Sequence, residues 1–307
     1  MEMNNLDAKQ FLEIIDKRID GKVPTQVSKG YSATVISISG GKVTVHLPTD
    51  PVGNNIVVQN SRDLPLEVGD EVYIVALDGK LSNAFVDFRK TIDLNNIYVN
   101  FTTGTDTYGY DANGYQYGSI NAPFKTLQYA VNRLSKNTNR RLINIYYNTL
   151  NSAEEVFLVG FYGGGRINIQ PLSGTSITNI SFLQILGCSG IRINIYYLGF
   201  TRTNYQAVEI FRSNFIALFF CHINTSSSFE GIVVADGSIA VISDCTIANR
   251  SVGILASGVS QIFSSTNTGA NTSYGLRADF SSTVGKFNTQ PTGGIANEIA
   301  TTGSVIR

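Results

Sequence analysis

The sequence predicts a mainly β protein, a parallel β-solenoid preceded by a small OB-like β-barrel and a short N-terminal helix. Three observations predict it. Aliphatic pairs return at intervals of 22 to 25 residues from Leu183 onward. Short alternating runs broken by glycine turns fill the stretch from Tyr31 to Arg89. One apolar stripe at helical spacing comes before them. The 307 residues suit two or three compact units. Only 15% are charged, against roughly 25% in ordinary soluble domains. Gly, Ser, Thr and Asn abound instead, as on a β-rich surface of hydroxyls and amides.

Residues 1–24 carry the helix. Ala8, Leu12, Ile15 and Ile19 form its apolar stripe. Asn4 or Asn5 can cap it, Asp7 lies near the positive end, and Gly21 with Pro24 stops it. A helix this short is marginal alone. It docks on its own domain or bundles with copies from other subunits, and the pattern leaves both open.

Residues 25–95 form the barrel. "YSATVISISGGKVTVHLPTD" sets two alternating runs around Gly40-Gly41, a hairpin with a primed turn. "NNIVVQNSRDLPLEVGDEVYIVALDGKLSNAFVDFRK" adds short strands, with turns at Val68-Gly69-Asp70 and Asp78-Gly79. About five short strands in so small a span favour a closed barrel of the OB type. Nucleic-acid binding on such a barrel needs exposed aromatic and basic residues. Here the strands hold Val and Ile, with few exceptions beyond Lys42, His46, Tyr73 and Arg89. The formal net charge is +0, so no general field draws the chain to nucleic acid or anionic membrane. The ending "VGDEVYIVALDGKLSN" is similar to that of small barrel domains in phage tail and baseplate proteins. That resemblance implies attachment to a particle.

Residues 96–307 make the solenoid, with a capping loop and helix over about 104–137. Phe124, Leu127, Val131 and Leu134 make a helical stripe, with Asn121 as cap and Pro123 near the first turn. The run "GTDTYGYDANGYQYGSINAPFKTLQYA", followed by the strands "LINIYY" and "EEVFLVGFY", resembles the start of pectate-lyase-like right-handed β-helices in phage tail spikes. In that family the helix caps the open end of the coil, which would otherwise expose its core and strand edges.

The repeats follow. Leu183, Val208, Ile232, Ile254 and Leu276 align, and so do Ile185, Ile210, Val234, Ala256 and Ala278 two places on. Between them stand Gln184, Glu209, Val233, Leu255 and Arg277. A second set pairs Phe215 with Ile239, Ala217 with Val241, Cys221 with Cys245 and Ile223 with Ile247. This is period-2 alternation renewed once per turn, for about seven coils after residue 140. No helical stripe fills the intervals, which excludes leucine-rich and tetratricopeptide repeats.

Candidate chemistry is sparse. Glycan cleavage needs two positioned carboxylates, or a base beside an Arg or Lys. Glu209, Glu230 and Asp236 lie on neighbouring coils and are the candidates if the chain is an enzyme; scattered surface acids are the plainer reading. Cys188, Cys221 and Cys245 are expected as thiols. His222 points away from Cys221 on a strand, so neither a metal site nor a Cys–His pair is expected. No cofactor is called for. "FYGGGRINI" lacks the Gly-Lys-Ser/Thr of a phosphate loop and reads as a turn between coils. Tyr108, Tyr110, Tyr115 and Tyr117 offer a stacking platform for a glycan, or a cover for the cap.

Val233 and Leu255, apolar in an outward column, are the candidate trimer interface, and the resemblance implies a homotrimer. The start "MEMNNLDAKQ" is unlike a secretory signal, and no apolar run reaches the roughly 20 residues of a membrane helix. The resemblance implies a structural component of a phage tail or baseplate, made in the host cytoplasm and found in the virion. Its N-terminal region would hold other tail proteins and its β-helix would reach a host-surface glycan. A polysaccharide depolymerase on the same scaffold and a phage-derived injection device or adhesin are the alternatives.

Overall fold

The computed structural model describes residues 29–307 apart from Thr49, Val52, Glu67 and residues 61–65, 69–70, 77–79, 90–94, 108–110 and 112–114. The expected N-terminal helix and the turns at 69–70 and 78–79 lie outside the described residues. The chain divides into two compact units, Met1–Lys90 and Thr91–Arg307.

In the first unit, five strands close into one barrel. Lys29–Ser39 pairs antiparallel with both Lys42–His46 and Glu71–Ala76. Lys42–His46 continues to Asn55–Gln59, which meets Ala84–Arg89 in parallel; that strand returns antiparallel to Glu71–Ala76 and closes the ring. Alternation places Ala33, Val35, Val43, Val45, Val72 and Ile74 inside. The Gly40 and Gly41 φ angles are +56° and +76°, as the expected primed turn demands of both central residues.

The second unit is a parallel β-solenoid of about nine turns. Its walls are a nine-stranded sheet, a seven-stranded sheet and a four-stranded sheet. The turns exceed the expected seven or so partly because Asn96–Val99, ahead of the repeats, joins the long sheet beside Leu142–Tyr147. Val208 pairs with Leu183 and Ile232, and Ile254 pairs with Ile232 and Leu276, so the aliphatic column stands as the spacing predicts. Across the core, the long sheet contributes Ile167, Ile193, Ile216, Ala240, Ile262 and Val284, in register and buried. Burying each such Ile or Val is worth roughly 1.5–3 kcal/mol.

A polar ladder runs along one corner of the solenoid from Cys188 to Ser304. The backbone N–H of Cys188 donates to Ser213 Oγ, Ser213 to Ser238, Ser238 to Ser260, Ser260 to Ser282 and Ser282 to Ser304, at 3.0–3.2 Å. Buried turns would otherwise leave these donors orphaned.

The cap differs from expectation in its first turn. The helix is Leu127–Asn132, and its N-cap is Thr126, whose Oγ1 accepts from the Tyr129 N–H at 3.2 Å, rather than Asn121. Phe124 is not helical. It bridges to Val99 and its N–H donates to the Tyr98 carbonyl, which keeps the chain extended past Pro123. Asp106 accepts from the N–H groups of Lys125 and Thr126 at 2.8 and 2.9 Å. Phe124, Leu127, Val131 and Leu134 nevertheless join the solenoid core, and the helix packs on Asn96–Val99 and Glu155–Val159.

Candidate functional site

Three consecutive rungs of the long sheet carry one phrase. "LINIY" begins at Leu142, "RINIQ" at Arg166 and "RINIY" at Arg192. Alternation sends both isoleucines of each rung into the core and the other three side chains outward. The middle column is therefore asparagine, extended by Asn96 below. Each amide bonds the next: Asn144 Nδ2 donates to Asn96 Oδ1, Asn168 to Asn144 and Asn194 to Asn168, all at 2.9 Å. An amide has two N–H donors and two acceptor lone pairs, so the ladder leaves hydrogen-bonding capacity on each rung.

Aromatic rings line one side of the ladder. Tyr98 stacks on Tyr146 at 5.4 Å and Tyr196 on Phe219 at 5.1 Å. At the adjoining corner Tyr197 and Phe220, both at positive φ, stack at 4.9 Å and 8°. Beyond Asn194 the middle column changes to Ala217, Val241, Phe263 and Gly285. Phe263 is 57% exposed; a Cβ added at Gly285 would sit 3.5 Å from its ring. Shallow grooves of about 390 and 370 Å³ flank Phe263. The middle column of this outer face is thus amide in its first half and apolar in its second.

The three candidate acids lie elsewhere and each has its own neighbour. Glu209, 6% exposed on the seven-stranded sheet, accepts from Gln184 Nε2 at 2.7 Å. Glu230 accepts from Gln206 Nε2 at 2.9 Å. Asp236 faces Arg212 at 3.5 Å, with both side chains mostly exposed. Glu230 and Asp236 flank the strand Ile232–Ala235, so roughly 20 Å of extended chain separates them. The fold does not bring the three together.

Tyr108 and Tyr110 lie outside the described residues. Tyr115 is 46% exposed, while Tyr117 packs against the core. Val233 and Leu255 are register partners in an outward column, between Glu209 and Arg277. Val233 is only 7% exposed, which leaves Leu255 with more side chain to offer a partner. Cys221 and Cys245 are stacked and buried, with the Cys221 N–H donating to Cys245 Sγ at 3.4 Å. Burial, and then the neighbouring Cys221, push the Cys245 thiol well above its ordinary range. Among the described residues, no group of three His, Cys, Asp or Glu could hold a metal ion.

The ladder residues do not follow from the aliphatic columns. Their signal is the threefold "-INI-" phrase, whose polar members recur with the same period as the core. Comparison with known protein families, curated proteins and solved structures found no match to this chain.

Proposed function

We propose that the chain is a structural component of a phage tail or baseplate, a tail-spike-like part that holds a host surface without cutting it. Residues 1 to about 95 attach it to the particle, through a barrel whose strand order suits an OB-like domain, and a trimeric right-handed β-helix carries the surface-binding face. The observation that carries this reading is the outer face of the long sheet. It repeats amides and aromatic rings at the roughly 4.8 Å strand spacing, a pattern able to hydrogen-bond and stack along a saccharide chain. Among the described residues, no Asp or Glu stands in the outward columns of that sheet. A phage-derived injection device would use the same parts in the same way.

Attachment is tested with fluorescently labelled full-length protein and a panel of bacterial cells. The reading expects saturable binding to a subset of strains, lost when their surface polysaccharide is stripped. A fragment starting at Asn96 should keep its β-rich circular dichroism and its cell binding, yet fail to enter particles. Uniform binding to all cells, or particle entry by the fragment, would contradict the assignment.

A further inference from the structure

We propose that a shallow cleft, where the middle column of the long sheet changes from asparagine to apolar residues, binds an acidic sugar residue, its carboxylate on Arg166 and Arg192 and its ring on Phe215. The inference deepens the attachment reading and rests on it for the presence of a saccharide. Arg166 and Arg192 are register partners on adjacent strands, where like charges oppose each other directly and destabilise the pair. Both are exposed, and neither guanidinium has a hydrogen-bond or ion-pair partner among the described residues. A sheet does not gain stability from such an arrangement. An anion laid across the two would remove the repulsion, and the guanidinium fork matches a carboxylate in two parallel hydrogen bonds.

The surroundings add a shallow, open groove and a ring to the two charges. Gly165, Gly190, the two arginines and Phe215 line a cleft of about 350 Å³. Gly165 ends the "GGGR" turn, in which Gly163, Gly164 and Gly165 have φ of +96°, +75° and +81°. A Cβ on Gly165 would lie 2.3 Å from the Arg141 carbonyl oxygen, so this close turn needs glycine. Phe215, on the next rung beyond Arg192, also lines the cleft, with φ +64° and 54% of its surface exposed. Positive φ recurs at corners along the solenoid, as at Tyr197, Phe220 and Phe280, so it is the exposed ring beside two arginines that distinguishes Phe215.

A third observation comes from the end of the amide ladder. Asn194 is only 4% exposed and lines the groove that continues from the cleft past Phe215. Its Nδ2 is spent on Asn168, while no hydrogen bond to its Oδ1 is made among the described residues. That oxygen and the second N–H give one acceptor and one donor to sugar hydroxyls. Charge, ring face and amide therefore meet in one place, which fits a uronic acid better than a free inorganic anion. The latter has no use for the ring.

The test is titration calorimetry of the full chain with oligogalacturonate and oligomannuronate, a neutral malto-oligosaccharide, and inorganic phosphate. The proposal expects an oligouronate to bind and to weaken as salt rises, with the neutral sugar much weaker. Arg166→Gln and Arg192→Gln should each lower that affinity about tenfold. Phe215→Gly removes the ring where the backbone already favours glycine, so it should lower affinity roughly fivefold with no loss of melting temperature. Failure of both oligouronates to bind overturns the proposal, as does equal binding of the neutral sugar. Phosphate that displaces the oligouronate, in a site indifferent to Phe215→Gly, would reveal an anion patch and overturn it too. Cell binding separates this inference from the reading beneath it. Attachment unaltered in the double arginine variant sinks the cleft alone; oligouronate binding by a chain that attaches to no cell sinks the attachment alone.

Discussion

Ser238 shows what single residues contribute to this fold. Its Oγ accepts the buried N–H of Ser213 at 3.1 Å and donates to the Ala235 carbonyl at 2.6 Å. Ser238→Ala would leave both groups without that partner in a dry corner, at a cost of about 1–3 kcal/mol. Chemical denaturation should show this loss, and an unchanged midpoint would mean that the ladder is incidental. Glu154 under the cap is a different case. Its Oε1 accepts from the Gln128 N–H at 2.6 Å, while its buried Oε2 has no partner. Burial pushes this carboxyl up from 4.5 to about 7, against the pull of the Gln128 N–H. The folded state thus holds the proton more tightly than the unfolded chain does. The resulting stability is fully present below about 4.5 and is lost as pH rises through about 7. Glu154→Gln should flatten that slope in melting temperature between pH 4 and 8, whereas a slope unchanged in the variant would assign it to another group.

Elements were legible where one physical rule acted alone. The aliphatic columns fixed register across five strands because one misplaced residue would turn a core face to solvent. Gly40-Gly41 announced its turn because both positions need positive φ. The cap helix was read too early, since Phe124 has helical spacing to Leu127 and yet pairs with Val99; a sequence does not reveal that a tertiary bridge has claimed a residue. The asparagine ladder is present in the chain as the repeated "-INI-" phrase, but apolar periodicity alone does not mark its outward members. The outward faces also bear on assembly. If three copies pack through the seven-stranded sheet, Leu255→Lys together with Val233→Lys should shift the sedimentation mass from trimer toward monomer. Because Val233 is largely buried already, Leu255→Lys alone should produce most of that shift. An unchanged mass in the double variant would move the interface elsewhere, and the exposed Phe263 face would be the next to probe.

At the largest scale, the second unit has one continuous aliphatic core and walls that are free to vary, since each turn needs only its inward residues to stack. The candidate chemistry follows from that division. The inward columns were readable from the sequence, but the site depends on which outward residues meet across turns. For the acids, spacing by coil did not translate into proximity. Glu209 turned to Gln184 and Glu230 to Gln206, whereas glycosidic hydrolysis requires two carboxyl groups on either side of one bond. The most direct test of holding without cutting is to incubate the purified protein with polysaccharide from the cells it binds, and to assay reducing ends and unsaturated products over time. The account predicts retained polymer and no new ends. Product that appears with the wild-type chain, and disappears in a folded Glu209→Ala, Glu230→Ala or Asp236→Ala variant, would contradict it and make the protein a depolymerase.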